Sequence, residues 1–162
     1  MPTFLRRPSL LQTPQSGAEP SLRNQRMSIQ AQTSAITCAN APDIPPPAGH
    51  YSHVCVANGF VFVSGQLPID PTGKPLSDAP FDAQAKQVLH NVDATLKAAG
   101  VTRDDLVQVR VFVSDIEHWP IFNGLYAEWI GAHKPARAVA ESASLHYGSA
   151  VEVEAIALAS AI

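Results

Sequence analysis

A chain of 162 residues that is 46% hydrophobic and 15% charged is long enough to bury a core of its own and is read as one folded domain, soluble, with no apolar run near the ~20 residues that cross a bilayer. Charge is unevenly spread: residues 1–26 hold four arginines and one glutamate, whereas from Met27 onward seven basic residues face thirteen acidic ones, a balance of −6. An acidic body excludes the clustered Lys/Arg footprint that displaces counterions from nucleic acid, and so few charges imply that part of the surface is covered, most simply by another copy of the chain.

Residues 1–47 show no hydrophobic period and are interrupted by Pro2, Pro8, Pro14, Pro20, Pro42 and Pro45-Pro46-Pro47. They read as a mostly disordered extension preceding a folded domain at 48–162, because such a composition cannot offset its own ordering entropy. The Arg-bearing, acid-poor stretch 1–26 also fits an organelle transit peptide. The favoured reading is a dispensable tail, or an upstream start with Met27 as initiator, on a cytoplasmic protein. A short edge strand is expected around Ala35 to Cys38. Cys38 and Cys55 are too few for a disulfide framework or a zinc site, and Cys55 reads as a small buried hydrophobe. The six histidines are scattered, so no metal site is expected.

From Tyr51 the pattern becomes regular. "YSHVCVANGFVFVSGQ" is two strand-like runs around Asn58-Gly59, which predicts a hairpin. "DPTGKP" at Asp70 to Pro75 is a turn. Apolar residues at Phe81, Ala85, Val88, Leu89, Val92, Leu96 and Ala99 recur at helical spacing, with Gly100 as the stop. "DLVQVRVFV" alternates, which places Val107, Val109, Val111 and Val113 on one face and Gln108, Arg110 and Phe112 on the other. "HWPIFNGLYAEWIGAH" predicts a second helix with Pro120 in its first turn and an Ile121, Leu125, Trp129 stripe. "KPARAVAES" and "AVEVEAIALA" complete the order β-β-α-β-α-β-β, an α+β fold.

Two helices cover one face of such a sheet. The other face combines Phe112, Ile156 and Leu158 with Arg110, Glu152 and Glu154, too apolar for open water and too charged for a sealed core. A subunit interface containing a polar site satisfies both demands.

Several blocks in one order resemble the Rid (YjgF-like) family of enamine/imine deaminases. They are Tyr51-Ser52, "VSGQLPIDPTGK" at Val63 to Lys74, "AAGVTRDDLVQVRVFVSDIEHWPIFNGLYAEW", "HKPAR" and "VEVEAIA". The likeness spans about Tyr51 to Ala159. It implies a chorismate-mutase-like α+β fold with two helices on one face of a mixed sheet, assembled as a homotrimer with clefts between subunits. The implied activity is hydrolysis of short-lived imines of the 2-aminoacrylate/2-iminopropionate type to 2-oxo acids and ammonia, with no cofactor. Residue by residue, the resemblance makes Arg137 the carboxylate anchor and Glu152 the group that positions water. It makes Tyr51, Ser64, Gly65 and Asn123 the cleft lining. The chain departs from the family at Val139, often Cys in relatives, and at Leu145-His146-Tyr147-Gly148, where Leu-Pro-Lys-Gly is usual.

These residue types suit that chemistry. A guanidinium is permanently charged and offers a carboxylate two parallel hydrogen bonds; a glutamate can take a proton from water and return it to a leaving amine. Backbone N–H groups near Ser64-Gly65 are further donors for the carboxylate. Each assignment has a plainer rival: Arg137 pairing with Glu152 or Glu154 across strands, Tyr51 as a packed aromatic, Asn123 as a helix-surface or capping residue, His146-Tyr147 as a solvated turn. Glu154 is read as structural, partnered by Arg110, and Ser64 has no His/Asp pattern to make it a nucleophile. The rival activities are a non-catalytic, 2-oxo-acid-binding regulatory trimer and, against the acidic charge, an RNA-cleaving inhibitor of translation.

Overall fold

The computed structural model describes residues 35–159. Strands β1 (Thr37–Ala39), β2 (Val54–Ala57) and β3 (Phe60–Gln66) lead into helix α1 (Phe81–Ala98). Strand β4 (Leu106–Val113), helix α2 (Trp119–Ile130), strand β5 (Ala136–Glu141) and strand β6 (Val151–Leu158) follow. The six strands form one mixed sheet in the order β1-β2-β3-β6-β4-β5. Only the β4/β5 pair, joined by the α2 crossover, is parallel; the others are antiparallel.

Local chemistry sets the elements. Ala57 pairs with Phe60 across a two-residue turn in which Asn58 and Gly59 have φ of 51° and 77°, left-handed values that Asn and Gly adopt most readily. Helix α1 stops at Gly100, φ 73°: its N–H donates to the Lys97 carbonyl, and that of Val101 to the Leu96 carbonyl. The paired bonds satisfy the last turn's open carbonyls and bring buried Val101 against buried Leu96. In the 70–75 turn, Asp70 Oδ1 accepts from the Thr72 and Lys74 N–H groups.

The core lies between the helices and one face of the sheet. Val61, Val63, Val109, Val111, Val113, Val151, Val153, Ala155 and Ala157 meet Ala85, Val88, Leu89, Val92 and Leu96 of α1 and Phe122, Tyr126 and Ile130 of α2. Two expected faces are corrected. Val107 is 40% exposed and Leu106 occupies its place in the core, because the β4/β6 register shifts between Leu106 and Gln108. On α2 the buried stripe is Phe122, Tyr126, Ile130, while Ile121 is exposed and Leu125 and Trp129 are only partly covered. A helix this apolar on all sides does not state its own phase.

The folded part begins ahead of residue 48. The edge strand occupies Thr37–Ala39, and Ala41 and Ile44 are buried against Ala94 of α1. Residues 1–34, the greater part of the Pro-rich extension, lie outside the described residues. Cys38 and Cys55 are joined as a disulfide. Cys55 is thus not a free buried hydrophobe: antiparallel register sets the two cysteines directly opposite on β1 and β2. None of the described helices is long and apolar enough to cross a membrane.

Two polar clamps hold this frame. His53 accepts the Ala41 N–H on Nδ1 (3.1 Å), and its own N–H donates to Asn40 Oδ1 (3.0 Å). Burial holds the imidazole's pKa below its ordinary value. Asp93 of α1 receives Arg103 Nε on Oδ1 (2.7 Å) and Trp129 Nε1 of α2 on Oδ2 (2.9 Å), which ties the helices together.

Two predictions follow from the clamps. Above roughly pH 6.5 His53 is neutral in both folded and unfolded chains. Below that value the unfolded chain binds the proton first, so stability falls as pH drops toward the depressed native pKa. Urea midpoints at pH 7.5 and 5.5 are expected to separate more for the wild type than for His53→Gln, which keeps an acceptor and does not titrate. Asp93→Ala leaves the Trp129 and Arg103 donors without their acceptor and is expected to lower the unfolding free energy by about 2 kcal/mol, read by chemical denaturation.

Candidate active site

Residues opposite each other in register share a face of the sheet. Glu152 pairs with Phe112 on the face away from the helices, and Arg137 pairs with Val109, fully buried on the helix side. The two residues expected to act together therefore lie on opposite faces of one chain's sheet, and the site residues fall into two groups.

The first group surrounds Glu152. The β3/β6 register shifts between Val63 and Gln66, so Ser64-Gly65 swings beside the glutamate. A cleft of about 380 Å³ is lined by Tyr51, Ser64, Gly65, His146, Tyr147 and Glu152, among others. A Cβ added to Gly65 would fall within the Glu152 carboxylate, so only glycine lets the carboxylate lie flat against β3. Burial pushes the Glu152 carboxyl above the usual carboxylate range; nearby His146 opposes that shift and Glu154 adds to it. Among the described residues no side chain or backbone group donates a hydrogen bond to Glu152. Ser64 is occupied: its Oγ donates to the Ser52 carbonyl (2.7 Å) and its N–H to the His53 carbonyl (3.0 Å). It holds the Tyr51 loop, and its N–H is not the free donor expected from the sequence.

The second group surrounds Arg137. Its Nη2 donates to Asn123 Oδ1 on α2 at 2.7 Å, and the guanidinium carbon lies 4.5 Å from the centre of the Tyr126 ring. Asn123 is thereby a positioning partner of the arginine, three residues from Tyr126 on the same helix. Tyr126 was missed in the sequence, although the three-residue spacing to Asn123 places both on one helical face. Its hydroxyl is buried without a partner among the described residues, and burial raises its pKa. Arg137 pairs with neither Glu152 nor Glu154, which corrects the cross-strand alternative. Glu154 instead accepts from Arg110 Nη1 at 2.7 Å, as expected. Most of the five Arg137 N–H donors remain free for a ligand.

Residues 41–159 match the family described as Endoribonuclease L-PSP, known also as YjgF, RutC or Rid. The chain belongs to the Rid family. It is 39% identical over 113 residues to a RutC family protein of Pyrococcus horikoshii, a span of 70% of this chain and 90% of the relative. A human Rid relative named 2-iminobutanoate/2-iminopropanoate deaminase is 33% identical over 114 residues, covering 70% and 83%. The crystal structure of yeast Mmf1, another Rid protein, superposes with a TM-score of 0.75 at 36% identity and covers 78% of this chain and all of that one.

Proposed function

We propose that the protein hydrolyses reactive imines of small 2-amino acids to 2-oxo acids and ammonia. In this reading the Glu152 group of one protomer and the Arg137 group of the next make one site in a homotrimer. The observation that carries it is the split itself. A half-buried carboxylate with no hydrogen-bond donor among the described residues and a ring-backed guanidinium lie on opposite faces of one chain, so a site that used both would have to draw them from two chains. The face bearing Glu152 also exposes Phe60, Phe62 and Leu158, and on β5 it offers only Ala136, Ala138 and Ala140. A face that mixes these apolar residues with the Arg110–Glu154 ion pair suits contact with a second copy. The human relative's name supports the reaction class.

The steps balance without a cofactor. The Arg137 guanidinium holds the substrate carboxylate in a two-bond fork, with Asn123 and the Tyr126 ring fixing its plane. Glu152 accepts a proton from water as the water oxygen bonds to the imine carbon. Glu152 returns that proton to the nitrogen as C=N becomes C–N; the new hydroxyl then gives its proton, by way of Glu152, to the same nitrogen as C=O forms and the carbon–nitrogen bond breaks, which leaves a 2-oxo acid and ammonia. Burial raises the Glu152 pKa, which makes the carboxylate a better proton acceptor than an exposed one.

Arg137→Ala is expected to lower kcat/KM at least ~30-fold, since losing one partner of a buried charged pair costs roughly 2–5 kcal/mol. The assay couples an aminoacrylate-forming enzyme to pyruvate appearance, and normal turnover by that variant refutes the assignment. Activity of the wild type should rise with pH through the elevated Glu152 ionisation, and Glu152→Gln should remove that limb and slow turnover while leaving 2-oxo-acid binding intact. Refolding Arg137→Ala together with Glu152→Gln chains should restore part of the activity, because mixed trimers rebuild some intact sites. No recovery on mixing would place the two residues outside a shared cleft.

A further inference from the structure

Behind the Glu152 cleft lies a second, smaller recess with no assigned role. It measures about 60 Å³, several times the ~10–15 Å³ that one water needs. Its walls include Ile44, Pro45, Pro46, Leu67 and Ile69. The two cavities share Ala48, Tyr51, Gly65, Leu67 and Tyr147, so the recess opens onto the space above Glu152.

Several polar groups at the recess are held by hydrogen bonds within the chain. Asn91 gives both amide N–H groups to the Leu67 and Ile69 carbonyls, each at 2.9 Å, and its Oδ1 accepts from Gln87. Gln66 Nε2 donates to the Ser64 carbonyl, and His53 Nδ1 holds the Ala41 N–H. A group entering here meets mainly carbon. At the shared rim stands Tyr147, half exposed at φ 59°, a left-handed conformation that a bulky residue rarely adopts. That conformation keeps the ring at the mouth of both cavities, facing the side that also bears the half-exposed Tyr51.

We propose that this recess receives the substrate's side chain, so that the protein prefers 2-imino acids with a branched or longer apolar side chain, such as the leucine-derived imine, over the methyl-bearing imine of alanine. The inference rests on the imine-hydrolase reading. With carboxylate and C=N carbon fixed by Arg137 and Glu152, the side chain is the part of the substrate left to point past Gly65 into the apolar space. Each methylene placed in a fitted apolar pocket is worth roughly tenfold or more in specificity.

The test generates imines from leucine and alanine with an amino-acid oxidase and follows how far the full-length protein outcompetes semicarbazide trapping. The expected kcat/KM ratio, leucine over alanine, is at least about tenfold. Pro46→Trp, at an exposed position on the recess wall, should lower that ratio about tenfold, toward unity. Calorimetric binding of 4-methyl-2-oxopentanoate and pyruvate gives a second, catalysis-independent measure, with the larger acid binding more tightly. Equal or reversed preference in turnover, or no preference in binding, overturns the recess while leaving the hydrolase reading standing. No hydrolysis of either imine, with the larger 2-oxo acid still preferred in binding, overturns the hydrolase reading and leaves the recess in place.

Discussion

The structure depends on the two-residue alternation of its central strands. From Val109 onward in β4 and from Val151 to Ala157 in β6, every second residue is a small aliphatic group committed to the helices, so the residues between them have no choice of side. Once Val151 and Val153 are buried, Glu152 must face away from the helices. Once Val109 is buried, its neighbour Arg137 on β5 must face toward them. The sheet therefore sorts a carboxylate and a guanidinium onto opposite sides by the same rule that builds its core. A slip of one residue would exchange them and expose the valines, so core burial and site geometry constrain one register.

The supporting contacts fall into line with that sorting. On the helix side, α2 supplies Asn123 and Tyr126, which hold the arginine's plane and leave most of its donors unspent. On the other side, the β3 irregularity at Ser64-Gly65 and the loop carrying Tyr51 wall the glutamate. That loop is anchored at its start by the Cys38–Cys55 bond and the His53–Ala41 hydrogen bond, and its middle by burial of Ile44. A segment whose composition suggests disorder thus supplies Ile44, Pro45 and Pro46 to the wall of the neighbouring recess.

What could be read from the sequence was whatever carries a strong local pattern. Asn58-Gly59 declared the hairpin, Gly100 the end of α1, and the Val/Glu alternation of β6 its two faces; Arg110 and Glu154 pair as their charges suggested. Failures came where the pattern is degenerate. Helix α2, "WPIFNGLYAEWI", is apolar on nearly every side, so the Ile121, Leu125, Trp129 stripe suits its sequence as well as the buried Phe122, Tyr126, Ile130 one does. Strand β5, "ARAVAE", alternates alanine with larger residues too weakly to announce which face its arginine takes. Val107 yielded its place to Leu106 through a register shift invisible in one strand alone, and the cysteine pairing depends on the register of a three-residue strand. The candidate site residues came from the family blocks; their division between the two faces of the sheet is visible only in the structure.

The contact between Gly65 and Glu152 has a consequence for how this chain can change. The space above position 65 is filled by a side chain eighty-seven positions later, so the two sites are free to vary only together. Any larger residue at 65 must drive the carboxylate outward, and the natural compensation is a shorter acid at 152, which withdraws the oxygens from the cleft. Drift along that route keeps the fold and withdraws the carboxylate from the cleft, so a descendant bearing alanine and aspartate at these positions is expected to lack the proton acceptor that the proposed imine hydrolysis requires.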